Sequence, residues 1–290
     1  MTDVTVSQDF DVSISGDVSI AADYFLENVK VLQTGPQGPT GGSEVIIARS
    51  YIAGLTLSTA GSSPIFSVAA GTASDKNNLD MMTLGGINKT TSPFGEGSGG
   101  GGLDTAVLSN NTWYHVHLIK RPDTQVVDVA FSSSANAPLT GDYVPAAYTL
   151  SRRIGSMKTN ASGQWISFNQ QGDEFLWATK IQDANTLAFT GAAQALTLSV
   201  PTGVQVWAIS AYYLTMISGS QYVLVSSFDQ ADAAPSASLF DFGAVVGIST
   251  TYGTPTRTNT SAQVRVRGAI TTSNLFVTTS GWIDRRGKDA

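Results

Sequence analysis

The chain has 290 residues, a charged fraction of 13%, a net charge of −6 and no cysteine. This length allows one or two domains with a substantial core. The lack of cysteine excludes a disulfide framework and thiolate metal sites, and the acidic balance argues against nucleic-acid binding, which needs a basic field along the phosphates. No apolar stretch reaches the roughly 18 residues of a membrane-spanning helix. The opening residues, among them Thr2, Asp3 and Ser7, include no basic segment ahead of an apolar one. Neither membrane insertion nor a secretory leader is therefore expected.

Residues 1–34 form an acidic arm. Asp3, Asp9, Asp11, Asp17, Asp23 and Glu27 stand against Lys30 alone, while the rest of the chain has 16 acids and 15 bases. Val4, Val6, Phe10, Val12, Ile14, Val18 and Ile20 all occupy even positions, with Thr, Ser and Asp between them. Period two predicts strand with one buried face, broken by a turn at Gly16-Asp17. So short an arm cannot bury that face by itself. It is expected to dock on another protein or on sister chains through Val4, Val6, Phe10, Val12 and Ile14; a strand folded back on its own body is the alternative. Residues 20–33 read either as a short helix capped by Ser19 or as further strand.

Residues 35–42 follow as a neck. Gly35, Gly38 and Gly41 fall at every third position, with Pro36 and Pro39 in the second slots. Three extended chains share an axis only where the axial residue lacks a side chain, so the pattern suggests a collagen-like junction of roughly 20 Å in a homotrimer. Two triplets alone do not offset the entropy of ordering three chains, and a Gly/Pro hinge is the competing reading.

Residues 43–290 read as a β-sandwich or jelly-roll-like head. Abundant Gly, Ser, Thr and Ala suit strands joined by many turns, and the sparse charge favours burial of surface between copies. Strands are expected over 44–52, 64–69, 78–84, 112–121, 126–132, 152–158, 165–171, 174–179, 195–200, 204–214, 221–227, 263–271 and 275–279, separated by turn residues. Asp183-Ala184-Asn185 is the expected seam if the head holds two modules. The whole chain is therefore expected to be all-β.

The series Gly101-Gly102-Leu103-Asp104-Thr105, then Thr112-Trp113-Tyr114-His115-Val116-His117-Leu118-Ile119-Lys120-Arg121, is followed by Val126-Val127-Asp128-Val129 and Arg152-Arg153-Ile154-Gly155-Ser156-Met157-Lys158-Thr159. Ser162-Gly163-Gln164-Trp165-Ile166-Ser167-Phe168 and Gln171-Gly172-Asp173-Glu174-Phe175-Leu176-Trp177 come next, and Gly281-Trp282-Ile283-Asp284-Arg285-Arg286-Gly287 closes the chain. This ordered series resembles a module of tailed-bacteriophage virion proteins, mostly tail-fibre and related appendage proteins. It spans about residues 50–290. The resemblance implies a non-enzymatic virion component present in several copies, assembled in the host cytoplasm. It leaves open a trimeric tail fibre attaching to the host surface, a head fibre or capsid decoration protein, and a glycan-depolymerising spike.

The chemistry-bearing residues are few. The glycine-rich run at 95–102 lacks the Gly-Lys-Ser/Thr ending of a phosphate loop and places Glu96 where a cation is wanted. His115 and His117, the only histidines, fall on one strand face about 6.5–7 Å apart. They could hold a metal only with further ligands, so the plainer reading is a solvated or intersubunit face, and neither metal nor cofactor is expected. No Gly-x-Ser-x-Gly elbow opens a helix, and Asp173 and Glu174 point to opposite faces of a strand, so they are not a glycosidase pair. Arg265 and Arg267 share a face, whereas Arg152 and Arg153 fall on opposite ones; such arginines pair with acids or clamp anionic glycan groups. Trp113, Trp165, Trp177 and Trp207 read as core. Tyr143, Tyr148 and Tyr252 lie in turn-rich segments and are the candidate contacts to a host glycan or protein receptor.

Overall fold

In a computed structural model, the structure describes residues 48–216, 219–269 and 273–288. The arm over residues 1–34, with Val4, Val6, Phe10, Val12 and Ile14, and the neck with Gly35, Pro36, Gly38, Pro39 and Gly41 lie outside them. Residues 46–290 form one compact unit.

The first half of the head contains β1 (Ile52–Gly54), β2 (Leu57–Ser58), β3 (Ile65–Val68), β4 (Gly71–Ser74), β5 (Met81–Leu84), β6 (Ile87–Pro93), β7 (Gly101–Leu103), β8 (Trp113–Lys120), β9 (Val127–Ser132) and β10 (Leu150–Lys158). Most of these make a seven-stranded sheet, ordered β10-β8-β9-β7-β6-β3-β2, beside a small β1-β4-β5 sheet. The second half contains β11 (Phe168–Gln171), β12 (Glu174–Ala188), β13 (Gln194–Thr197), β14 (Trp207–Met216), β15 (Ser220–Ser226), β16 (Phe242–Val245), β17 (Thr250–Arg257), β18 (Gln263–Gly268) and β19 (Ser273–Ile283). These pair as β11-β12-β19-β14-β17 and β13-β18-β15-β16. No helix occurs among the described residues, and the all-β, sandwich-like class read from the sequence stands.

Residues from all four sheets meet in one apolar cluster. At its centre the ring of Trp165 lies edge-on to Phe131 at 5.1 Å and to Phe66 at 5.6 Å, while Trp282 stacks on Phe175 at 5.2 Å and meets Trp177 at 5.0 Å. The tryptophans and phenylalanines of the sequence motifs are thus mutual packing partners, worth about 0.5–1.5 kcal/mol per ring pair beyond their burial. The seam expected at Asp183-Ala184-Asn185 falls inside β12, where the pairing with β19 shifts register. The chain does not break there because β12 remains paired to β19 on both sides of the irregularity.

Candidate functional site

Strand β8 is buried on both faces along its whole length, so its polar side chains must find partners inside the protein. His115 and His117 are 1% and 0% exposed. This corrects the expected solvated face: the 133–136 and 200–204 segments cover it, with Gly203 lying over the His115 ring. On the neighbouring strand β10 a register shift between Arg153 and Gly155 brings Arg153 and Ser156 to the same side, as bulges do. A continuous chain results. Asp284 accepts two bonds from Arg153 at 2.5 and 2.7 Å, Arg153 donates to Ser156 Oγ at 3.2 Å, and Ser156 lies 2.9 Å from His115 Nδ1.

The partners fix the histidine states. His117 Nε2 faces the Ser134 carbonyl at 3.0 Å; a carbonyl only accepts, so Nε2 carries the hydrogen. Burial pushes the His115 pKa down to about 4 and that of His117 to about 3. Both rings are neutral near pH 7. Asp284 goes the other way: burial alone would raise its pKa, but the Arg153 guanidinium outweighs it and holds the carboxyl below the usual range. Ser156 is fully enclosed and Asp284 bonds Arg153 rather than a histidine, so this network organises the fold. Among the described residues no group of three or more His, Cys, Asp or Glu is placed to hold a metal ion.

The glycine-rich run is a close-packed loop around a buried cation. Lys89 is 0% exposed, pairs with Asp128 at 2.8 Å and donates to the carbonyls of Gly95 and Gly97 at 2.7 and 3.1 Å. Asp128 in turn accepts from the Gly97 N–H at 2.7 Å. Sequence reasoning missed Lys89; the usable signal was a lysine beside a glycine run whose carbonyls need donors.

The three candidate tyrosines separate. Tyr143 is 41% exposed on a turn. Tyr148 is a correction: it is 3% exposed, donates its hydroxyl to Glu96 at 2.7 Å and lies edge-on to Phe94, so it presents no ring to a ligand. Burial first, then the Glu96 bond, raises its pKa. Tyr252 sits in strand β17, half-buried and stacked on Phe242 at 5.0 Å. Trp207 is a further correction. It opens β14 at 41% exposure, while Trp113, Trp165 and Trp177 are buried as expected. Trp207 borders a cavity of about 330 Å³ with Gln230, Thr254, Pro255, Thr256 and Arg257. Arg257 lies over its ring at 5.9 Å and pairs with Asp229 at 2.7 Å. An exposed indole edged by hydrogen-bonding groups is the surface chemistry that stacks a sugar ring.

The arginines also divide. Arg267 pairs with Asp232 at 2.7 Å and Arg265 donates to the Gln230 carbonyl at 2.8 Å while lying over Phe228. Arg152 and Arg153, expected on opposite faces, line one cavity at β10, the edge strand of its sheet.

No protein-family model and no curated protein matches the chain. Among solved structures, one similar chain belongs to the structure of the infectious bursal disease virus Gx strain, at 10% identity and a TM-score of 0.26, covering 83% of this chain and 72% of that one. A likeness of that size assigns neither fold nor function.

Proposed function

We propose that this protein is a structural component of a virus particle, an appendage of the tail-fibre type in a tailed bacteriophage, which attaches to the host surface and does no covalent chemistry. The observation that carries this reading is the ordered motif series from Gly101 to Trp177 and from Gly281 to Gly287, which resembles phage appendage modules. The acidic, strand-patterned arm docks on other virion proteins, and the Gly-Pro neck holds three copies together. Three heads then raise a weak contact to useful avidity, because the second and third contacts form at high effective concentration. Of the host-facing candidates, the Trp207 surface with Arg257 and Asp229 and the exposed Tyr143 present the most suitable chemistry for a surface glycan.

Cryo-EM of the particle tests the placement: density at the tail is expected, and density at capsid lattice positions would instead make the chain a head fibre or decoration protein. Sedimentation equilibrium of the full chain is expected to give three times the chain mass; a monomer would remove the neck reading. Incubation with host envelope polysaccharide should release no reducing ends, and their release would make the spike a depolymerase. Attachment is the property most directly open to substitution, and Trp207→Ala is expected to weaken binding to host cells without changing the oligomer.

A further inference from the structure

A cavity of about 260 Å³ opens where the start of β10, the 133–136 segment and the C-terminal residues meet, lined by Lys76, Ala135, Asn136, Arg152, Arg153, Val204, Arg286 and Gly287. Four of these eight are cations and none is an acid. Their partners are unevenly shared. Arg153 is held by Asp284, and Arg286 donates through Nε and Nη2 to Asp173 at 3.1 and 2.8 Å. Arg152 has no carboxylate within ion-pair reach among the described residues; its Nη2 donates only to the Ser50 and Arg286 carbonyls, each at 3.2 Å. The nearest negative influence on it is Asp75, whose oxygens already accept from the backbone of Asn77, Leu79 and Asp80. Lys76 stands exposed at the rim, likewise without an ion-pair partner among the described residues.

Arg152 and Arg286 are each 4% exposed, and each retains a buried N–H without an acceptor, Arg152 Nε and Arg286 Nη1. Burying like charges together is unfavourable, and it persists where something compensates. The backbone maintains the arrangement: Arg286 and Gly287 both adopt positive φ, 53° and 70°, which brings the Arg286 carbonyl onto the Arg152 guanidinium and packs Gly287 against it, a side chain at that glycine meeting Arg152 Nη2 at 3.9 Å. The Arg265 and Arg267 cavity is the contrast, because its lining contains Asp232, which neutralises it.

We propose that this cavity is a binding site for a single oxyanion, the carboxylate or phosphate group of an acidic sugar unit, clamped between Arg152 and Arg286 with Lys76 closing the rim. Guanidinium forks match planar and tetrahedral oxyanions in geometry as well as charge. The volume is below the roughly 300–1,000 Å³ of sites for drug-sized ligands, which suits one charged sugar rather than a long chain. That the sugar belongs to a host surface rests on the attachment reading above; the oxyanion chemistry does not.

The test is calorimetric titration of the full-length protein at low salt with glucuronate, glucose and inorganic phosphate. Glucuronate is expected to bind and glucose not, and phosphate to compete. Phosphate binding without glucuronate binding supports the oxyanion site and assigns it to phosphorylated sugars. Arg152→Gln should weaken binding by at least ~10-fold, exposed Lys76→Gln by roughly 3-fold, and Arg267→Ala not at all. If Arg152→Gln fails to fold, Lys76→Gln against Arg267→Ala decides. If neither anion binds at ~50 mM, or if those two variants have equal affinity, the proposal is overturned. Particles that still attach to cells without this protein, while the protein itself binds glucuronate through Arg152, would defeat the attachment reading and leave the site. Attachment without glucuronate or phosphate binding would do the reverse.

Discussion

The β8 region and the β14-β15-β18 region solve the placement of polar side chains in opposite ways. Strand β8 is buried at every residue, whereas β15 and β18 alternate buried and partly exposed positions. Two ion pairs beside β8 are enclosed, Lys89 with Asp128 at 0% and 1% side-chain exposure and Arg153 with Asp284 at 11% and 1%, whereas Lys120 at the end of β8 reaches out to the more exposed Asp80. Around β18 ion pairs remain wet, as with Arg267 and Asp232 at 24% and 39%. The residue types are the same. What differs is desolvation, which makes an enclosed pair costly to break and a wet pair nearly dispensable.

The largest test of this contrast needs no substitution. An unfolded histidine takes up a proton as pH falls through about 6.5, while folded His115 and His117 resist until about 4 and 3. Between those values the unfolded chain binds more protons, so stability is full above pH 6.5 and is lost as pH falls. At about 1.4 kcal/mol per pH unit per group, the two histidines account for on the order of 5 kcal/mol by pH 4.5. Urea unfolding of the full chain, followed by tryptophan fluorescence, should show the midpoint falling across this window. Asp173 and Asp284, whose pKa values are depressed, lose their contributions only at lower pH. His117→Gln should flatten the slope, and a flat profile in the unsubstituted protein would end the claim.

Next in size are two substitutions around the enclosed lysine. Lys89→Ala leaves Asp128 buried and unpaired, with an expected loss of about 4 kcal/mol. Gly101→Ala attacks the same loop through its backbone, since a methyl group there would overlap the Pro93 and Ser92 carbonyl oxygens; a loss of about 3 kcal/mol is expected. Both are read from denaturant midpoints. If Lys89→Ala cost under about 1 kcal/mol, Lys89 would belong with the wet pairs.

The sequence displayed the strands whose burial is periodic or continuous, such as β8, β14 and β18, because hydrophobic pattern reports burial directly. It concealed β4, β6 and β17, whose residues are Gly-Thr-Ala-Ser, Ile-Asn-Lys-Thr-Thr-Ser-Pro and Thr-Thr-Tyr-Gly-Thr-Pro-Thr-Arg. Those segments are recruited by hydrogen bonding to a neighbouring strand and bury no large apolar side chain completely, and β17 tolerates Pro255 because it is an edge strand. Tyr148 was misread for a related reason. Local turn composition predicts exposure, but the residues that cover Tyr148, Phe94 and Glu96, come from about fifty positions earlier. The cationic cavity escaped notice because it joins Lys76, Arg152 and Arg286, which only the tertiary fold brings together, although Arg152-Arg153 and Arg285-Arg286 were visible as pairs.

The smallest expected effect is the sharpest check on the comparison. Arg267→Ala removes an ion pair to Asp232 and a bond to the Gly191 carbonyl at 3.2 Å, as many partners as some enclosed cations have. Counting contacts would therefore predict a substantial loss. Solvent predicts otherwise: with both side chains partly exposed, water replaces the guanidinium at Asp232 and at the carbonyl, and the net loss should stay below about 1 kcal/mol. The residual should shrink further in 0.5 M salt, about where screening acts within a few ångströms, whereas the Lys89→Ala deficit should persist because its surroundings exclude ions. A salt-insensitive loss of several kcal/mol in Arg267→Ala would mean that the second region also excludes water, and the distinction between the two halves of the head would fail.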